Sequence, residues 1–440
     1  MRPFLPEEEL KMKRLLALLM MIALLGTFAA AENSYTVRLL GDIGNYDVYG
    51  AYKAQGNHLN FRYSTFNDIA TAISSRDPDV DVFILLTRDG GDQLKKQHYY
   101  YPLTDDALLM EKFSHLYPSL QSPLMDDGNL IGWYIDVQPW AWDVSRPDWL
   151  EELDCPLPTT FEELLDACEL LNESGLLGAH QPLLDYYSYT QSGVLTFYME
   201  QYLISSELAD GQINFLRPEF TRIVKRIKET LPATQPEIDF INDFPVFISA
   251  VSYQAPTTKM TLIPSVLDDA PTALYCIAVV AVINPYSNNI EGALDFIHYL
   301  ATYESTYTYY WDTTLPPLIR PHYDEEVAQY QDEITRLEAK EKLSEQDESD
   351  LYYARRSLTY ITENPYYITE EDIAHYRDLI QYAYVPCDSP INFYKDDAFQ
   401  TLMQRYLNGA FDAEGFARAC QEHVNTVYLE MGLTPMYVPN

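Results

Sequence analysis

Aromatic and polar side chains crowd one stretch of the chain. Between Gly128 and Asp143 stand Trp133, Tyr134, Trp140 and Trp142, which include three of the five tryptophans. A flat apolar ring with a polar edge suits a ligand that is polar at its rim and apolar on its faces, as a sugar is. Tyrosine serves the same use and is abundant, 37 residues against 18 Phe. A second candidate group is the loop Thr87-Arg88-Asp89-Gly90-Gly91, where a guanidinium and a carboxylate can direct hydrogen bonds to hydroxyls.

Covalent or metal chemistry finds little support. The eight histidines include no pair at i,i+2 or i,i+4, so no zinc site is expected. Asp77, Asp79 and Asp81 imitate the opening of a calcium loop, but Val82 stands where a Gly is needed and Arg88 where the closing Glu is needed. There is no G-x-S-x-G, S-x-x-K, Walker loop or G-x-G-x-x-G. Carboxylate pairs could hydrolyse glycosides, yet among 66 acidic residues such pairs are not diagnostic. No metal and no cofactor are expected. The five cysteines, Cys155, Cys168, Cys276, Cys387 and Cys420, are odd in number and lack a C-x-x-C. Cys168 and Cys420 fall on apolar helix faces, so the thiols are read as buried and free, with no support for a Cys155–Cys168 bridge.

The 440 residues suffice for two or three domains, and 47% of them are hydrophobic, enough for a sizeable core. Acidic residues outnumber basic ones 66 to 29, a formal charge of −37. That balance excludes nucleic acid and an anionic membrane surface as partners and leaves a neutral, cationic or small ligand. At the start, Lys11, Lys13 and Arg14 precede an apolar run from Leu15 to Leu25 and then Ala29-Ala30-Ala31. This pattern predicts a signal peptide over 1–31, cut after Ala31, with Met12 as an alternative start. Cleavage would leave 25 basic against 63 acidic residues, a charge of −38. No Cys follows the apolar run to carry a lipid, and no later stretch is apolar enough to span a bilayer, so an extracellular or periplasmic protein is expected.

The candidate loops need elements to hold them. Tyr35, Val37 and Leu39 alternate up to Gly41, and Leu59, Phe61 and Tyr63 do the same, so both segments read as strands. A helix is predicted over 67–75. Val80 to Leu86 is a continuous apolar run, as in a strand buried on both faces. The pattern predicts an α/β domain with a parallel sheet, in which ligands bind beyond the carboxyl ends of the strands. The loops opening at Gly41 and Thr87 are therefore site candidates. Thr160 and Glu163 form a capping box ahead of a stripe of Phe161, Leu164, Leu165, Cys168 and Leu171. Tyr275 to Ile283 reads as a second buried strand, followed by a helix with Asn288 as its cap and Glu291 three residues on. A solvated helical hairpin is predicted over 324–350 and a last helix over 416–431, burying Phe416, Cys420, Val424, Val427 and Met431.

Several passages, taken in order, resemble the extracellular solute-binding proteins of ABC transporters, the family-1 type that includes maltodextrin-binding proteins. They are the leader and early strand; Ile69 to Leu86, with Asp79-Val80-Asp81; Asp127-Gly128-Asn129-Leu130-Ile131-Gly132-Trp133-Tyr134; Leu157-Pro158-Thr159-Thr160-Phe161-Glu162-Glu163-Leu164; and Ala281-Val282-Ile283-Asn284 with Ser287-Asn288-Asn289 and Glu291-Gly292-Ala293. Their order and spacing run over about 300 residues of the chain. The chain departs from the family at Tyr134, where a proline is usual, at Ser145, where an Asn is usual, and in a charged, Tyr-rich stretch over 321–395 that has no counterpart.

The resemblance implies an α/β, two-lobed, periplasmic-binding-protein-like (type II) clamshell. Lobe one would hold 32–138 plus 284–314, and lobe two 139–283 plus 315–440, with a helical insertion at about 321–395. Crossings would fall near Gln138–Ser145, Ala278–Asn284 and Leu315–Arg320. Ligand would sit between the lobes and hold them closed. On that pattern Tyr46, Arg88 and Asp89 point into the cleft, and Trp133, Gln138, Trp140 and Trp142 line the first crossing. Phe244, Phe247 and Tyr253 would supply stacking from lobe two, and Trp311 would close the floor. The resemblance implies a monomer that captures a sugar or oligosaccharide and delivers it to an ABC-transporter permease, without catalysis. A polyamine is the rival ligand. A secreted glycan-active hydrolase, or a sensor or adhesin without transport, is the alternative function.

Overall fold

The computed structural model describes residues 34–41, 46–62, 66–88, 91–144, 146–177, 182–184, 189–234, 246–250, 255–267, 273–319, 323–340, 342, 344–363, 366–386 and 396–439. The predicted signal peptide, Cys387 and parts of the 321–395 stretch lie outside these residues.

The strands that matter run in chain order as β1 (Thr36–Gly41), β2 (His58–Arg62), β3 (Val82–Leu86), β4 (Trp133–Pro139), β5 (Ala141–Val144), β6 (Leu183–Leu184), β7 (Phe247–Ala250), β8 (Met260–Thr261), β9 (Leu274–Ile283) and β10 (Ala383–Tyr384). The helices are α1 (Tyr46–Ala54), α2 (Phe66–Ser75), α3 (Phe161–Ser174), α4 (Gln191–Asp210), α5 (Pro218–Thr230), α6 (Ile290–Thr302), α7 (Tyr323–Glu338), α8 (Glu345–Glu363), α9 (Glu370–Ile380), α10 (Asp397–Leu407) and α11 (Ala413–Glu430).

Two sheets divide the molecule into two lobes. The first has the order β2–β1–β3–β9–β4, with β10 beside the start of β9. The strands β2, β1 and β3 are parallel, as the apolar runs implied. The sheet is nevertheless mixed, because β9 runs antiparallel to both β3 and β4. A strand that returns from the other lobe enters the sheet from the opposite end, which a local apolar run cannot reveal. The second sheet has the order β8–β5–β7–β6. Each lobe has its own core: one is centred on β1, β3, β4 and β9, the other on Trp142 and helices α3 to α5, α10 and α11.

Local chemistry explains the element ends. At α3 Thr160 Oγ1 accepts the Glu163 N–H at 3.2 Å while Glu163 Oε2 accepts the Thr160 N–H at 3.1 Å. The stripe Phe161, Leu164, Leu165, Cys168 and Leu171 is buried as predicted. Gly41 ends β1 with φ +152, and a Cβ there would lie 1.9 Å from the Ile84 carbonyl oxygen, so no other residue fits. The helix after β9 starts one residue later than expected. Asn289 is its N-cap but makes no side-chain cap, because its amide donates to Thr36 O at 3.0 Å and Asp81 Oδ2 at 3.3 Å. Asp81 itself is fully buried and clamped: Arg38 Nη2 reaches Oδ1 at 2.7 Å and Ser287 Oγ at 2.6 Å. The apparent calcium triplet is thus an ion-pair anchor, with Asp79 Oδ1 taking Arg38 Nη1 at 2.8 Å.

The hairpin forms as α7 and α8. After it, Tyr376 of α9 is buried in the first core and donates to Tyr310 O at 3.1 Å, while the chain rejoins the second core at Phe399. In α11 Phe416, Cys420 and Val424 are buried, but Met431 follows the last turn and is exposed, since Tyr428 fills the inner face instead. Cys155, Cys168, Cys276 and Cys420 are free thiols.

Candidate ligand cleft

One residue, Trp140, separates β4 in the first sheet from β5 in the second. Its backbone N–H donates to Tyr275 O at 2.7 Å, which extends the β4–β9 pairing past Cys276–Pro139. Because strand side chains alternate, Asp136, Gln138 and Trp140 share a face of β4, opposite Val279, Ile277 and Tyr275 of β9. A register shift between Val279 and Val280 sets this alternation.

The residues assemble around that face. The Trp140 and Tyr275 rings lie 5.7 Å apart between centroids at 50°. Arg88, two residues beyond β3, places Nη1 at 3.4 Å from the Tyr275 hydroxyl. Its loop is pinned by Thr87 N–H to Ala278 O at 2.9 Å and Gly91 N–H to Thr87 O at 3.0 Å. Gln138 Nε2 donates to Asp136 Oδ2 at 2.6 Å. Asp136 is 3% exposed, and its Oδ1 is buried without a hydrogen-bond partner among the described residues. Burial pushes the Asp136 carboxyl up to about 6, against the easing effect of Gln138 and the Val137 N–H. The turn Thr306–Tyr310 after α6 brings Tyr307 near; burial and then the charges of Asp136 and Asp47 raise its phenol. Tyr303 at the end of α6 is raised by burial and by Asp47, in the first turn of α1.

The group therefore gathers an aromatic pair, a guanidinium, an amide and a carboxylate with a spare acceptor, beyond the carboxyl ends of parallel strands and at the passage between lobes. Such an arrangement can stack on a ring and hydrogen-bond to its rim.

Of the residues singled out from sequence, Arg88, Gln138 and Trp140 come together here. Tyr46 opens α1, on the loop side of β1. Trp133 is 2% exposed in the first core, and Trp311 packs there against Tyr134 at 6.4 Å between centroids. Trp142 lies in the second core, between Phe197 and Phe247 at 5.6 and 5.9 Å. Asp89, Phe244 and Tyr253 lie outside the described residues. Sequence reasoning missed Asp136, Tyr275, Tyr303, Tyr307 and Asp47. The alternation of Asp136, Gln138 and Trp140 was the one signal for the first; Tyr275 opened an apolar run, and nothing local marked the others. One group of metal-ligating type also escaped the spacing rules: His98, Asp126 and Asp127 lie within 4.8 Å of one another, with Asp126 Oδ2 accepting the Tyr100 hydroxyl at 2.7 Å. Among the described residues no helix is long and apolar enough to cross a membrane.

No protein-family model matches the chain, and no curated protein matches it by sequence. Solved structures do match. The ABC substrate-binding protein Lmo0181 from Listeria monocytogenes, in complex with cycloalternan, is 13% identical with a TM-score of 0.50. The match covers 91% of this chain and all of that one. Maltose-bound MalE3 of T. maritima is 14% identical with a TM-score of 0.50, over 90% of this chain and all of its own. The fold is that of two-lobed solute-binding proteins.

Proposed function

We propose that this protein is an exported solute-binding protein that captures a sugar or oligosaccharide between its lobes and delivers it to an ABC-transporter permease. The observation that carries the reading is Trp140, set at the one-residue passage between the two sheets and flanked by Arg88, Tyr275 and Gln138. The two solved structures compared above were bound to cycloalternan and to maltose, which supports the same ligand class. Trp140 is 4% exposed, so ligand reaches its ring only when the lobes part about the crossings. Lobe one is taken as 32–138 plus 284–314 together with β9, α9 and β10, which pack in the first sheet and core rather than in the second lobe as the sequence division had them, and lobe two as the remainder of 139–283 and 315–440, with a monomer as the working unit. Closure on the ligand needs no covalent step. Export follows cleavage after Ala31, and mass spectrometry of secreted protein should find Glu32 at the N-terminus.

The test is a thermal-shift screen of mono- and oligosaccharides, polyamines, amino acids and chromogenic glycosides. Ligand at about 100 times its dissociation constant stabilises the native state by about 2.7 kcal/mol, a readable shift. A rise in Tm with sugars alone is expected. A shift with polyamines alone, or turnover of the glycosides, would contradict the reading.

A further inference from the structure

Asp136 is a costly residue to place where it stands. It is a carboxylate 97% removed from solvent, on a strand face shared with Gln138 and Trp140, and among the described residues only Oδ2 has a side-chain partner, Gln138. A buried carboxylate oxygen without a partner forfeits its hydration and gains nothing in exchange. Asp81, just ahead of β3 in the same sheet, has both oxygens bonded. The unused Oδ1 shares its strand face with Gln138 and Trp140.

We propose that Asp136 is a ligand-anchoring acceptor of the cleft, its free Oδ1 taking the O–H of a sugar hydroxyl while Gln138 holds Oδ2 and Trp140 carries the sugar face. The inference rests on the sugar-binding reading above. It adds a regulation: a carboxylate buried with one oxygen unbonded favours its protonated form in mild acid, loses its charge-assisted bond there, and lets capture weaken as pH falls. The groups around Asp136 are mostly non-titrating in this range, and the other carboxylate that reaches Tyr307 is Asp47 of α1. Tyr307 from the Thr306–Tyr310 turn and Tyr275 from β9 are phenols, Cys276 is a buried thiol pushed up, and Arg88 stays charged. The ionisable groups of α6 are engaged elsewhere: Glu291 with Tyr35, Asp295 with Tyr52 and His298 with Asp106.

The experiment titrates wild type and Asp136→Asn by calorimetry with maltose, maltotriose, xylobiose and glucose at pH 8.0 and 5.0, and records the Tm of both ligand-free proteins. For whichever sugar binds, the variant should be at least ~10-fold weaker at pH 8.0, the loss of one charge-assisted hydrogen bond. Wild-type affinity should approach that of the variant at pH 5.0. The ligand-free variant should melt no lower than wild type at pH 8.0. Equal affinity of the two proteins at pH 8.0 overturns the inference and leaves the sugar reading intact, as does a variant that melts lower because Oδ1 had a structural partner. Failure of every sugar to bind wild type overturns both.

Discussion

Two aspartates are buried in one sheet and are treated in opposite ways. Asp81, just ahead of β3, accepts from Arg38 N, Nε and Nη2, from Ser287 Oγ and from Asn289 Nδ2. Burial pushes its carboxyl up, but these bonds outweigh burial and hold it below the ordinary range. Asp136, on β4, has Gln138 on one oxygen and no partner among the described residues on the other, and burial wins. The first site lies where β3 begins and ties β1, β3 and the start of α6 together. The second lies level with Leu86, the last residue of β3, on the side toward the passage between the lobes. One end of the sheet is finished as structure, and the other is left with unspent hydrogen-bonding capacity. Open α/β sheets bind at their carboxyl ends, and this contrast gives that rule a physical form in two residues of the same type.

The contrast can be broken most forcefully at Asp81. Asp81→Ala leaves Arg38, Ser287 and Asn289 without their acceptor and should cost about 3 kcal/mol in urea unfolding. The sign with pH follows from the lowered carboxyl: the Asp81 contribution is present above the ordinary 3.8 and is lost as pH falls through the lower folded value. Asp136→Asn should do the reverse. Its folded value of about 6 against 3.8 means that stability is full below 3.8 and lost as pH rises through 6. At pH 8 the substitution should therefore stabilise the ligand-free protein, by at most about 3 kcal/mol, with the gain fading toward pH 4. A destabilised Asp136→Asn would erase the distinction between the two aspartates.

A smaller effect sharpens it from the other lobe. Thr160→Ala removes the α3 cap and should cost about 1 kcal/mol in thermal unfolding while sugar affinity stays unchanged, since the cap does not touch the cleft. Smallest of all is the response to salt. The chain carries −37, so a cationic ligand would bind more weakly as ionic strength rises, whereas the affinity of a neutral sugar should move by less than about twofold between low and high salt.

Much of this was legible in the residues. Alternation and apolar runs located β1, β2, β3 and β9, and the capping box at Thr160 located α3, because each signal is local in sequence. The tryptophan-rich stretch pointed to the crossing for the same reason. The direction of β9 was not legible, since it depends on where the chain returns from. The roles of Asp81 and Asp136 were hidden too. Asp81 sits in an acidic triplet that imitates a turn or a calcium loop, and its partners come from positions as distant as Arg38, Ser287 and Asn289. Asp136 differs from any other acid only in what surrounds it. Trp133, equal to Trp140 in the sequence, belongs to the first core, where the backbone runs so close that a Cβ on the preceding Gly132 would stand 2.5 Å from Ala281 O.

The central claim is that Trp140, at the passage between the sheets, is the ring on which the ligand lies. Isothermal titration of a binding sugar against wild type, Trp140→Phe and Trp140→Ala tests it most directly. The account predicts that Trp140→Ala binds about 1–4 kcal/mol more weakly, with Trp140→Phe in between and both variants folded by circular dichroism. A folded Trp140→Ala protein that binds the sugar as tightly as wild type would contradict it.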